Sequence, residues 1–183
     1  MLNTLAGIIA SSGGAAASSY ESIATANFAS DGSGFDFLSI PQTYQHLELR
    51  FMVQSTLSAT VDNLAFYANN DTSSIYSTHS VYGNGSAASA YALASGVRMY
   101  LPSLVSAATT AQYTVGVVQI LDYTSTNKNK TIRTLHGFDA NGSGIVGLTS
   151  GAFLSTGAIT RFSGGTSANI KAGSQVALYG IKG

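Results

Sequence analysis

Charge is scarce in this chain: only 9% of its 183 residues are Asp, Glu, Lys or Arg, against roughly a quarter in an ordinary soluble domain. Cysteine and tryptophan are absent, and there are only 2 prolines. Without cysteine there are no disulfides, no thiolate catalysis and no cysteine-based zinc sites. The 8 basic and 8 acidic residues cancel, and they lack the clustering that phosphate binding requires, so no nucleic-acid partner is expected. The tightest basic group, Lys128, Lys130 and Arg133, marks a loop and the start of a strand. The N-terminal apolar run is far too short to span a bilayer, and no membrane partner is expected. A free monomer relies on surface charge to resist association. The composition therefore predicts a chain that spends its life packed against other subunits.

What remains is Gly, Ser, Thr, Ala and Tyr around short apolar runs, and these read as strands from end to end. In His46 to Gln54, Leu47, Leu49, Phe51 and Val53 fall on one face. His46, Glu48, Arg50 and Gln54 fall on the other, with Met52 the exception. Alternation with period two indicates a half-buried strand. Phe35 to Ile40 precedes it, joined through Pro41 to Tyr44, where Pro41 presets the turn dihedral. Tyr20 to Ala29 is an earlier strand, set off by the turn-rich Ser30 to Gly34. Leu64 to Tyr67, Tyr76 to Tyr82, Lys130 to Phe138, Ile145 to Leu154, Ile159 to Phe162 and Gln175 to Ile181 continue the series. Gln112 to Asp122 is apolar on both faces, as a buried central strand is. Ala87 to Leu101 is ambiguous: its alanines permit a helix, Tyr91, Val97, Met99 and Leu101 suit a strand, and Gly96 interrupts either.

Nine or so strands at turn-punctuated spacing predict an all-β fold, an antiparallel two-sheet sandwich. Ser55 to Asn63 and Ser163 to Ala172 are long for hairpin connections. They fit strands crossing between sheets, as in a jelly roll; another sandwich topology is the alternative. The domain division expected is an N-terminal arm over 1–19 and one β-sandwich domain over 20–183. The arm carries apolar Leu5 to Ala10 and small Gly13 to Ala17 but no preceding Lys or Arg, unlike a signal peptide. It reads as an arm ordered on a partner or, equally, as a frayed tail.

Candidate chemistry is thin. Gly142 to Gly147 matches the spacing of a dinucleotide-binding loop, but no Asp or Glu follows Asp139 and the next segment is strand-like. A hairpin turn seeded by Asn141-Gly142 is the better reading. Asp139, Asn141, Ser143 and Gly144 match the front of a calcium loop, yet Ser150 stands where its bidentate Glu belongs. An incidental polar turn is preferred. His46, His79 and His136 form no metal-ligand spacing. His136 shares a strand face with Ile132 and Phe138, which suits a partly buried histidine. No nucleophile elbow occurs, and the few acids, among them Glu21, Glu48, Asp62 and Asp122, sit in no motif. No catalytic residue, cofactor or metal is expected, and no enzymatic activity. Four Asn-x-Ser/Thr sequons, at Asn70, Asn84, Asn129 and Asn141, are what a chain this rich in Asn, Ser and Thr contains by chance. The 10 tyrosines supply rigid contact area with a polar tip, suited to interfaces. Any single one is better read as half-buried core.

Three segments, Tyr20 to Ala26, Ser39 to Leu49 and Leu178 to Gly183, with Tyr82 to Ser86 between them, resemble small virion proteins of tailed bacteriophages. The likeness runs through the chain in order and carries no catalytic motif. It implies a β-sandwich or jelly-roll module on the capsid or tail. Two roles follow. In one, the protein is a capsid decoration or cement protein that bridges the major capsid protein and copies of itself as a dimer or trimer. Leu2, Leu5, Ile8 and Ile9 of the arm, together with Tyr76 and Tyr82, are the candidate contact residues. In the other, it is a tail-fibre or tail-tip module whose loops Asn69 to Ser74 and Gly83 to Ser89 bind host surface glycans. The lack of tryptophan weakens the second role.

Overall fold

The computed structural model describes residues 18–105 and 111–183. Among them are twelve strands and no helix. In chain order they are β1 (Tyr20–Asn27), β2 (Phe35–Phe37), β3 (His46–Val53), β4 (Val61–Ala68), β5 (Tyr76–Gly83) and β6 (Ala88–Gly96). Then come β7 (Met99–Val105), β8 (Thr114–Ile120), β9 (Lys130–Asp139), β10 (Gly144–Phe153), β11 (Phe162–Thr166) and β12 (Gln175–Ile181). Every pairing is antiparallel. One sheet has eight strands in the order β1-β12-β3-β8-β9-β10-β5-β6, the other four in the order β2-β11-β4-β7. The chain forms the expected two-sheet sandwich.

The path alternates between the layers. β1, β3, the β5–β6 hairpin, the β8–β9–β10 meander and β12 lie in the large sheet; β2, β4, β7 and β11 lie in the small one. With β5, β6, β9 and β10 set aside, successive strands change sheet at every step but one, β4 to β7, which are neighbours in the small sheet. The four set aside widen the large sheet beyond β8.

The inward faces meet in one core. β3 supplies Leu47, Leu49, Phe51 and Val53, β8 supplies Val118 and Ile120, and β12 supplies Val176 and Leu178. Phe35, Phe37, Phe66 and Phe162 oppose them from the small sheet, with Phe66 and Phe162 stacked at 5.6 Å. Burying an aromatic or branched side chain of this kind contributes about 1.5–3 kcal/mol, which sets the register of each strand.

Several segments differ from the sequence reading for identifiable reasons. The ambiguous Ala87 to Leu101 contains all of β6 and the start of β7, parted at Val97 and Arg98. Ser95 takes a positive φ of 54° just before Gly96, and there the chain leaves the large sheet for the small one instead of continuing as a helix. Ser163 to Ala172 is not a plain connection, because β11 occupies its first residues. Its glycines hide the strand in the sequence but are required by it. A Cβ on Gly164 would lie 2.6 Å from the Ala65 carbonyl oxygen and 2.7 Å from the Phe35 ring. Glycine inside a strand marks this kind of close approach. Two residues assigned to the polar face of β3 and its end are buried, Glu48 at 4% and Gln54 at 0% exposure.

Candidate interaction surface

Alternation along β8, β9, β10 and β5 sends every second side chain away from the core. Strand register then lines those outward residues into rows across the sheet. One row runs Arg50, Val117, Leu135, Leu148, Val81, Ala90. The adjoining row runs Met52, Val115, Gly137, Val146, Gly83, Ala88. Val115, Leu135, Val146, Leu148, Val81 and Met52 are all exposed. The two rows cross six strands, about 24 Å at the usual spacing of about 4.8 Å, and Arg50 is their one charge. An apolar area of this kind with a polar border marks an interaction site more often than a solvated surface.

Glycine shapes the surface. Gly137 stands between Val115 and Val146, and a Cβ there would come within 2.9 Å of the Ile145 carbonyl oxygen. With no side chain at 137, the rows open into a trough of about 1000 Å³. Val115, Val117, Leu135 and Val146 line it, and the turns at Asn84-Gly85 and Gly142-Ser143 flank it. Asn141 and Gly142 both have positive φ, and Ala140 N–H donates to the Ser143 carbonyl. This is the β9–β10 hairpin turn read from Asn141-Gly142. The Asp139 carboxylate accepts the Asn141 N–H at 2.7 Å, and a strand follows where a dinucleotide loop requires a helix.

The third outward row is polar: Glu48, Gln119, Arg133, Ser150, His79. Glu48 is buried beneath its neighbours rather than solvated. Arg50 Nε donates to its carboxylate at 2.8 Å, Tyr20 Oη and Gln119 Nε2 approach it at 3.5 Å, and Arg133 Nη2 donates to Gln119 Oε1 at 2.7 Å. The Arg50 guanidinium lies 5.4 Å from the Tyr20 ring centre and 5.2 Å from that of Tyr179. The hydrogen bond to Glu48 raises its pKa further. The network ties β1, β12, β3, β8 and β9 together at one end of the surface.

The structure distributes the sequence-derived candidates unevenly. Leu2, Leu5, Ile8 and Ile9 lie outside the described residues. Tyr76 is not available to a partner: it is 1% exposed, packs on Phe153 at 5.2 Å, and accepts the Ala68 N–H at 3.0 Å. Tyr82 is half-buried and points to the opposite side of its strand from Val81, away from the apolar rows. The three histidines are apart. His79 faces outward, His46 Nδ1 accepts the Asp122 N–H at 3.0 Å, and His136 is buried over Gly147. No group of three or more His, Asp or Glu side chains among the described residues is placed to hold a metal ion. The basic residues serve internal ends. Lys128 pairs with Asp122 at 2.7 Å, and the buried Lys130 ammonium donates to the Ser125, Lys128 and Thr156 carbonyls.

Val81, Val115, Leu135, Val146 and Leu148 are the surface residues that sequence reading missed. The signal was present in Gln112 to Asp122, apolar on both faces. Apolar residues on both faces imply burial on both sides, whereas Val115 is 56% exposed. No protein family, no curated protein and no solved structure matches the chain.

Proposed function

We propose that this chain is a non-enzymatic virion structural protein, a capsid decoration or cement protein. It bridges and stabilises shell subunits through the outward apolar face of its large sheet. The observation that carries this reading is the pair of adjoining rows from Met52 and Val117 to Ala88 and Ala90, solvent-facing and almost free of charge. Covering such a face contributes roughly 25 cal/mol per Å² of apolar area, less the cost of association. The occupant proposed is the major capsid protein, presenting an apolar patch of its own. The scarcity of charge and the resemblance of Tyr20 to Ala26, Ser39 to Leu49 and Leu178 to Gly183 to phage virion proteins agree with this role. The strand order supports the jelly-roll form of the sandwich. With β5, β6, β9 and β10 set aside, it is β1-β12-β3-β8 against β2-β11-β4-β7, the interleaving that two Greek keys produce.

The tail-fibre reading has less to rest on. Asn69, in the first proposed glycan loop, spends its side chain on the Ala158 carbonyl and the Thr160 N–H at 2.9 Å each. Asp71 is taken up by Ser73.

The test is the copy number per purified particle, by quantitative mass spectrometry against the major shell protein. A ratio near one, or a simple fraction of it, is expected. A few copies per particle would move the protein to the tail. Absence from the particle would overturn the virion reading.

A further inference from the structure

The two sheets have four edges: β1 and β6 on the large sheet, β2 and β7 on the small one. An edge strand offers a row of unpaired N–H and C=O groups, and monomeric proteins guard such rows with charge, proline, bulges or brevity. Three of these edges are guarded. β1 carries Glu21, ion-paired to Lys182, and a register shift between Ser22 and Ala24. β2 has three residues. β7 contains Pro102. The fourth is not. β6 is nine residues long, Ala-Ser-Ala-Tyr-Ala-Leu-Ala-Ser-Gly, with no charge and no proline. Its one irregularity falls between Leu93 and Gly96, so Ala88 to Leu93 run in unbroken register with β5. Ala88, Ser89, Ala90, Ala92 and Ala94 are exposed, and no described strand pairs with the outer edge.

We propose that the outer edge of β6 pairs antiparallel with β6 of a second copy about a two-fold axis perpendicular to the sheet. Such an axis keeps the outward face of each copy outward, so residues of one face meet residues of the same face. Ala88, Ala90 and Ala92 lie on the outward face, in line with Gly83, Val81 and His79. With the axis at Tyr91, Ala90 of each copy meets Ala92 of the other, and no side chain obstructs the approach. Ser89, Tyr91 and Leu93 meet beneath, where Tyr91 and Leu93 are already half-buried and gain cover from their counterparts. With no charge on the strand, self-pairing brings no like charges together. The strand is thus complementary to itself and fits a second copy better than a charged or bulky partner strand. Pairing joins two eight-stranded sheets into one and carries the apolar row ending at Val81 and Ala90 across the axis. The inference rests on the edge alone and not on the virion reading. Solution mass tests the one, and copy number per particle tests the other.

The experiment is sedimentation equilibrium on the full chain. A dimer is expected, and Ala90→Lys with Ala92→Lys is expected to raise its Kd at least about tenfold by opposing like charges. Both positions are exposed, and an unchanged far-ultraviolet circular dichroism spectrum checks that the variant folds. Leu135→Lys, on the face of the sheet, is expected to leave Kd within about threefold. A chain that stays monomeric at roughly 100 µM overturns the proposal. So does self-association that Leu135→Lys abolishes and the alanine pair does not, or a trimer indifferent to both. Amide exchange gives an independent readout on the unmodified chain. Protection of β6 should rise with protein concentration while that of β1 stays constant; equal protection of β6 at low and high concentration also overturns it.

Discussion

Leu135 and Leu148 stand directly opposite each other on β9 and β10, and both point into solvent, at 59% and 48% exposure. A leucine pair in that position adds little to folding, about 0.2–1 kcal/mol. It does create a dry anchor for another surface. Leu135→Lys with Leu148→Lys should shift unfolding free energy by no more than about 1 kcal/mol while releasing the protein from particles. Urea denaturation and particle co-sedimentation measure the two effects. Retention of the variant at the wild-type level would count against this face as the contact.

Tyr76 links the β4–β5 turn to the core. Its hydroxyl accepts the Ala68 N–H at 3.0 Å and reaches the Asp71 carbonyl at 3.0 Å. Burial pushes its pKa up from 10.0 to about 12. The folded state therefore holds this proton more tightly than the unfolded state. The contribution is fully present below about pH 10 and is lost as pH rises through about 12, an effect of roughly 2–3 kcal/mol. Tyr76→Phe should cost about 1–3 kcal/mol at neutral pH, through the orphaned Ala68 N–H. It should also flatten the alkaline fall, leaving the part due to Tyr123, whose pKa burial also raises. Urea midpoints between pH 8 and 12 for both chains decide the matter.

The Lys130 ammonium is buried against three carbonyls, those of Ser125 at 2.6 Å, Lys128 at 2.8 Å and Thr156 at 3.1 Å. It joins the β8–β9 turn to the segment after β10. Lys130→Met keeps the apolar stem and leaves the three acceptors unserved, so a loss of about 3 kcal/mol is expected. A loss under about 0.5 kcal/mol would mean that water replaces the ammonium without cost.

Gly164→Ala drives a methyl group into the Ala65 carbonyl and the Phe35 ring and should destabilise by about 2–4 kcal/mol. Gly85→Ala is the contrast: nothing lies within 4 Å of its Cβ position, and only the positive φ of 87° resists. That costs about 1–2 kcal/mol. Equal thermal shifts for the two would refute the packing argument at Gly164.

The arm is tested by deletion. Ser19 is already tied to the sandwich, its carbonyl accepting the Lys182 N–H at 3.0 Å, so the cut belongs after residue 17. Removing residues 1–17 should leave the urea midpoint unchanged and lower particle binding at least about tenfold. Unchanged binding would remove Leu2, Leu5, Ile8 and Ile9 from the interface.

Much of the fold was legible. The alternation of Leu47, Leu49, Phe51 and Val53 located β3 and its buried face, because side chains at period two share one side of a strand. Asn141-Gly142 located the β9–β10 turn, because few residues tolerate positive φ. β6 and β11 were hidden by alanine and glycine, whose small side chains carry no period.

The candidate surface was less legible than the fold. Sequence alone determined an all-β, charge-poor chain with one segment, Gln112 to Asp122, apolar on both faces. It did so because period, turn chemistry and composition are local properties. Only the tertiary structure decided which apolar face was left over. Val118 and Val115 lie on one strand, yet the first is fully buried and the second exposed, because the small sheet covers one side of β8. Tyr76 and Glu48 show the same logic in reverse. In the sequence Tyr76 is a candidate contact residue and Glu48 a member of the polar face of β3, and each is enclosed by residues distant along the chain, Phe153 for the one and Tyr20 and Gln119 for the other.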